Sequence, residues 1–363
     1  MSVARTRRSP WSAAVRLGVV AAVVSAAVVQ RDLVGDAAGA LGRIGSGALV
    51  AVTGCWLVWS SIRAALLRWS LGSLPWGRAV LLGEIDRAAH TLPSGPVAGF
   101  AARVVVGRSF GFGLPRITVS YVVVSQAYAA GLWLLVLVTA GGDLLAARGD
   151  TVDALAAGAA VTALAVGALV AFVVLRPGRL ADATVRSAVR LQRRLARRFP
   201  AAGRLDLPQA VAEGRVHGAE VLRRKGFALV AGGVAGHVAG GVLLLVALDA
   251  VGRSVDPVGF WGMFAVVSAA AGFAPTPAGV GFTEGGLVAG LVTLGAPADD
   301  ALAAVLVHRF VTVVVPLVTG GLAYAGWLAW RRRRPDPDLA AVATPNDAEP
   351  TVVVDVDSVS LGR

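Results

Sequence analysis

Residues 117–141 contain no charged side chain, and runs of similar length and apolarity recur along the chain. A run of about 20 apolar residues is long enough to cross the hydrocarbon of a bilayer as a helix. Six segments have this character, at approximately 12–29, 44–61, 117–141, 152–175, 226–249 and 303–329. Two more, 76–113 and 257–296, are apolar but interrupted at their centres. The first break is Leu92-Pro93-Ser94-Gly95-Pro96, and the second runs from Pro275 through Pro277 and Gly279 to Gly281. Only 15% of the 363 residues are charged, against roughly 25% in a soluble domain. The pattern predicts a polytopic, all-α transmembrane bundle and excludes a soluble globular domain.

Net charge is +12, which in a soluble chain would suggest nucleic acid as a partner. Here the basic residues lie between the apolar runs, so the positive-inside rule accounts for them and no nucleic acid is expected. Arg5, Arg7, Arg8 and Arg16 precede or open the first run. Seven arginines fall in 63–116, thirteen basic residues in 176–225, and Arg331–Arg334 follow the last run. The alternate loops carry little charge, with Arg31, Arg43, Arg148 and Arg253 beside Asp299 and Asp300. A multi-pass protein of the cell membrane with both termini in the cytoplasm is the expectation. The N-terminal 30 residues mimic a signal peptide but lack a clean small-x-small cleavage site, so they are read as a retained first span. The membrane domain is placed at 1–334, with a basic cytoplasmic loop at about 176–225, and 335–363 is expected to be a disordered cytoplasmic tail.

Sidedness requires each interrupted region to begin and end on one face. Each is therefore a re-entrant hairpin or a pair of thin spans, and the two should meet inside the protein, because irregular backbone at membrane depth must be buried or line a wet cavity. At an offset of 184 residues Pro93 falls on Pro277, Gly95 on Gly279, Val104 on Val288, Gly111 on Gly295 and Val123 on Val307. The spans that follow run in opposite directions, as in an inverted-topology repeat whose interrupted helices mark a transport site.

Ionisable residues within the apolar regions are Glu284, His308, Arg309, His237 and Asp249. A charge at mid-membrane costs about 2.5–3.5 kcal/mol on insertion scales, so such residues face partners or a cavity. Glu284 and Arg309 are expected to pair, either lining a path or locking two helices. His237 lies among Gly232, Gly233, Gly236, Gly240 and Gly241 and reads as a hydrogen-bonded packing residue at a close helix contact. Asp249 is expected at the interface. The one cysteine, Cys55, reads as a small buried hydrophobe. No Gly-x-Ser-Gly, His-Glu-x-x-His or Gly-x-x-x-x-Gly-Lys motif occurs, so neither catalytic residues nor a metal or other cofactor are assigned.

Pro275-Thr276-Pro277-Ala278-Gly279-Val280-Gly281-Phe282-Thr283-Glu284, then Leu294-Gly295, Arg309 and Pro316, resembles the lysylphosphatidylglycerol synthase transmembrane, or flippase-like, family. Arg68-Trp69 and Leu92-Pro93 extend the likeness over roughly residues 10–330. Ala278 stands where relatives often carry glycine. The resemblance implies a lipid-handling membrane domain that, in bifunctional relatives, flips an aminoacylated phospholipid made by a separate synthase domain. The chain ends about thirty residues past its last span, so a stand-alone member without aminoacylation activity is expected. Its partners would be an anionic or aminoacylated phospholipid or a polyprenyl-linked lipid. The candidate translocation residues are Pro93, Gly95, Pro275, Pro277, Gly279, Gly281, Glu284 and Arg309. A lipid-linked glycosyltransferase, with Asp32 and Asp36 as outer carboxylates, and a scaffold docking through 176–225 remain alternatives; sugar transfer in liposomes or a stable co-purifying partner would favour them.

Overall fold

The computed structural model describes residues 45–333, apart from 93–94, 147–148, 150, 176–185, 187–188, 191–206, 275 and 277–278. The expected first span, the C-terminal tail, and Pro93, Pro275 and Pro277 thus lie outside the described residues, as does most of 176–206. Every regular element within them is helical: α1 Ser46–Leu71, α2 Trp76–His90, α3 Gly95–Ser109, α4 Leu114–Leu145, α5 Thr151–Leu175, α6 Leu207–Ala250, α7 Pro257–Ala271, α8 Phe282–Thr293, α9 Ala298–Arg309 and α10 Val315–Arg333. A π-helical turn, Phe310–Val314, joins α9 to α10 into one continuous helix. Pro316 lies just beyond it; proline withholds a ladder hydrogen bond and crowds the preceding turn, which a widened turn relieves.

Among the described residues, five helices are long and apolar enough to span a membrane: α1, α4, α5, α6 and the fused α9–α10. The interrupted regions are two helix pairs. α2 and α3 have 15 residues each, α7 has 15 and α8 has 12. At about 1.5 Å per residue these are roughly 18–22 Å long, shorter than a hydrocarbon core of about 30 Å.

α6 is the axis of the bundle, packing on α4, α1, α9 and α5. Its contact with α4 is backbone against backbone. A Cβ on Gly233 would lie 2.0 Å from the Ala127 carbonyl oxygen, and one on Gly131 would lie 2.3 Å from the Gly233 carbonyl carbon. His237 hydrogen-bonds through Nε2 to the Tyr128 carbonyl at 3.1 Å. Small residues permit this approach, and a polar side chain then bridges the helices. α7 packs on α4 and α8, α8 packs on α9, and these helices share a core with the C-terminal half of α6 around Leu243, Leu244, Phe260, Leu291 and Val305. α2 and α3 pack instead on α1 and α4.

The cytoplasmic connection placed at 176–225 is helical from Leu207 onward and continuous with the span. Its residues are mostly helix formers, Pro208 sits in the first turn where proline is tolerated, and Glu220 pairs with Arg224 one turn on. His217 hydrogen-bonds the Ser70 carbonyl at 2.9 Å, fastening this extension to the end of α1.

The offset of 184 reappears in the geometry. α3 ends at Ser109 and α8 at Thr293; α4 starts at Leu114 and α9 at Ala298. Between them Gly111 (φ +86°) and Gly295 (φ +90°) close matching Schellman caps. In one, Phe112 N–H donates to Gly107 and Gly111 N–H to Arg108; in the other, Ala296 donates to Leu291 and Gly295 to Val292. Glycine holds both sites because a side chain at such φ values is strained.

By compactness the chain divides at Met1–Ala323 and Tyr324–Arg363, within the last helix. In the second unit the Tyr324 and Trp327 rings lie 5.4 Å apart, and the Arg331 guanidinium sits 5.4 Å over Trp327.

Candidate functional site

The second hairpin reverses over 272–281. Gly279 (φ +66°) and Gly281 (φ +85°) both occupy left-handed backbone, which glycine alone adopts without strain. α8 therefore starts at Phe282, placing Glu284 third in the helix. Its Oε2 accepts from the Gly281 N–H at 2.7 Å, satisfying one orphan donor and placing negative charge at the positive end of the helix. Its Oε1 accepts from Arg309 Nε at 2.7 Å. The side chains are 14% and 7% exposed, so the pair is largely desolvated. Gly281 is exposed beside it. Gly281, Glu284 and Arg309 are thus joined by hydrogen bonds, and Gly279 stands two residues before Gly281, where a Cβ would lie 2.6 Å from Thr283 Oγ1. Gly95 belongs to the other hairpin, where a Cβ would lie 2.6 Å from the His90 carbonyl oxygen. A recess lined by Gly47, Ala48, Ala51, Val242, Leu245, Val246 and Asp249 includes none of these residues.

The first hairpin holds a second ionic group. Asp86 is fully buried and accepts at Oδ2 from Arg103 Nη2 at 2.7 Å and from Arg63 Nη2. His90, one turn on, places Nδ1 3.6 Å from Asp86 Oδ1 and Nε2 3.2 Å from the Tyr121 hydroxyl. Glu84 accepts from the Ser60 hydroxyl and, at 2.7 Å, from Thr319. Arg87 lies 3.7 Å from Glu84 and 4.1 Å over the Trp59 ring.

The arginines of 63–116 were expected to mark the cytoplasmic side. Arg68, Arg78 and Arg108 are exposed, but Arg87 and Arg103 are buried and Arg63 is half-buried in ion pairs. Glu84, Asp86, Arg87 and Arg103 are thus buried charges that the segment count does not single out. The signal available in the sequence was acids and a base interleaved within an Ala/Leu helix.

One helix meets both groups. Arg309 bonds Glu284, and ten residues later Thr319 bonds Glu84, about 15 Å along the axis. At Gly320 a Cβ would lie 2.4 Å from the Glu84 carbonyl oxygen, so α2 rests directly on this helix.

Membrane-length helices with two short, ion-paired hairpins packed on them define a polytopic integral membrane protein. The family model for the lysylphosphatidylglycerol synthase TM region matches residues 13–320. The chain belongs to that family. No curated protein matches it.

Proposed function

We propose that this protein moves an anionic or aminoacylated phospholipid, or a polyprenyl-linked lipid, across the cell membrane without covalent chemistry. The observation that carries the reading is the Glu284–Arg309 pair at the break of the second hairpin, joined to the exposed backbone of Gly281. A polar headgroup crossing hydrocarbon needs polar groups at membrane depth. Broken-helix ends and an arginine with a planar fork of donors offer them. Gly279, Gly281, Glu284 and Arg309, together with Pro275 and Pro277 and with Pro93 and Gly95 of the other hairpin, are assigned to the path.

The short helices and the matched caps at Gly111 and Gly295 support two re-entrant hairpins in an inverted repeat. In proteoliposomes holding a panel of fluorescent lipids, the wild-type protein is expected to expose inner-leaflet headgroups to an external quencher for at least one lipid. Background rates for the whole panel would sink the proposal.

Orientation follows from the basic termini. In a Cys55→Ser background, cysteines at Ser9 or Ala340 are expected to stay unlabelled by impermeant reagent in intact cells and to react after lysis. External labelling at either position would overturn the span assignment.

A further inference from the structure

Counted with Arg63 of α1, the ionic group at the first hairpin holds more positive than negative charge. Arg63, Arg87 and Arg103 face two carboxylates, Glu84 and Asp86. Asp86 is taken by Arg63 and Arg103. Both oxygens of Glu84 accept from hydroxyls, those of Ser60 and Thr319. Arg87 is the guanidinium left over. It is 5% exposed, and Nε, Nη1 and Nη2 are all buried with no hydrogen-bond acceptor among the described residues. Glu84 at 3.7 Å is an ionic neighbour beyond hydrogen-bond length, and Trp59 supports the guanidinium from its face. Arg63 adds like charge nearby. Buried donors without acceptors are rare, and a buried charge without hydrogen bonds is rarer.

We propose that Arg87, its guanidinium carbon 4.1 Å over the Trp59 ring of α1, is the receptor for a phosphate oxyanion, supplied by a phospholipid headgroup or by free phosphate. A phosphate presents paired oxygens that match the guanidinium fork in its own plane, leaving the face free for the indole. Negative charge there balances the surplus guanidinium. The neighbouring hydroxyls fix Glu84, so the carboxylate does not turn to take the donors itself. This site deepens the translocation reading, since it gives the headgroup a second contact, on the other hairpin from Glu284. Its test is equilibrium binding, which fails or succeeds apart from transport.

Purified full-length protein in neutral detergent is titrated with phosphatidylglycerol, with diacylglycerol as a lipid lacking phosphate, and with inorganic phosphate, and the thermal midpoint is followed. Phosphatidylglycerol is expected to raise the wild-type midpoint and diacylglycerol to leave it unchanged. Arg87→Gln is expected to weaken the apparent affinity at least about tenfold, the scale of a lost charged hydrogen bond. An Arg87-dependent shift with inorganic phosphate alone identifies a free anion as the source and supports the same site. Equal affinity in Arg87→Gln and wild type, or no shift of the wild type by either phosphate compound, overturns it. Should Arg87→Gln fail to fold, Arg87→Lys keeps the charge but loses the fork, and several-fold weaker binding is expected; unchanged binding overturns the proposal. If the site stands while lipids do not move in proteoliposomes, only the transport reading falls.

Discussion

Asp86→Asn is expected to destabilise the protein by about 3–5 kcal/mol. The change is nearly isosteric, so it tests charge rather than packing. Asp86 is 0% exposed and is the carboxylate that Arg103 and Arg63 both bond. Asparagine retains one acceptor oxygen but removes the negative charge, and its amide nitrogen adds a donor beside guanidiniums that need acceptors. Two partly or wholly buried cations then share an uncharged partner in a place water does not reach. The exposed pair Arg253–Asp300 provides the contrast. Its side chains are 49% and 31% exposed at 2.7 Å, and Asp300→Asn should change stability by less than about 1 kcal/mol, as exposed pairs do. Denaturant unfolding of the detergent-solubilised variants measures both. An Asp86→Asn protein within 1 kcal/mol of wild type would mean that the buried group is hydrated and that its charges are screened.

Much of this architecture is readable from spacing alone. Apolar run length predicts the spans over 44–61, 117–141, 152–175, 226–249 and 303–329, because a helix crossing a bilayer has to satisfy its own backbone within the run. The Pro/Gly clusters predict both breaks for the same reason. Glu284 and Arg309 stand out because each interrupts an otherwise uncharged stretch, and the glycines around His237 predict the contact with α4. Arg63, Arg87 and Arg103 escape this reading. Counting arginines by segment assigns them to a membrane face and is blind to partners. Asp86 lies 17 residues from Arg103 and 23 from Arg63, and Glu84 meets Thr319 across 235 residues. No local pattern encodes those pairings; they form only when α1, α3 and α10 are packed around α2. The helical stretch from Leu207 escapes for a related reason. Its basic residues separate it from the span by charge, while its backbone propensity and its contact with α1 carry the span's helix back to Leu207 without a break.

The Glu284–Arg309 pair carries the second large effect, in a form that separates holding the fold from handling a ligand. Glu284→Gln is expected to destabilise by about 3–5 kcal/mol, since Arg309 loses its ionic partner in a largely desolvated position. The glutamine can still accept from the Gly281 N–H, so the start of α8 should survive and the loss reports on the ion pair. Removing both charges, in Glu284→Gln with Arg309→Gln, is expected to recover most of that stability, because no buried charge is then left alone. Lipid movement should not recover with it. If Arg309 exchanges Glu284 for a phosphate during passage, the double variant has nothing to offer the headgroup. Arg309→Lys keeps one positive charge but loses the planar fork, and should insert and fold while moving lipid at least about tenfold more slowly. Scrambling rates in proteoliposomes, set against unfolding curves of the same preparations, give both quantities. A double variant that is stable and moves lipid at the wild-type rate would leave the pair as a fastening between α8 and α9 and remove these two residues from the path.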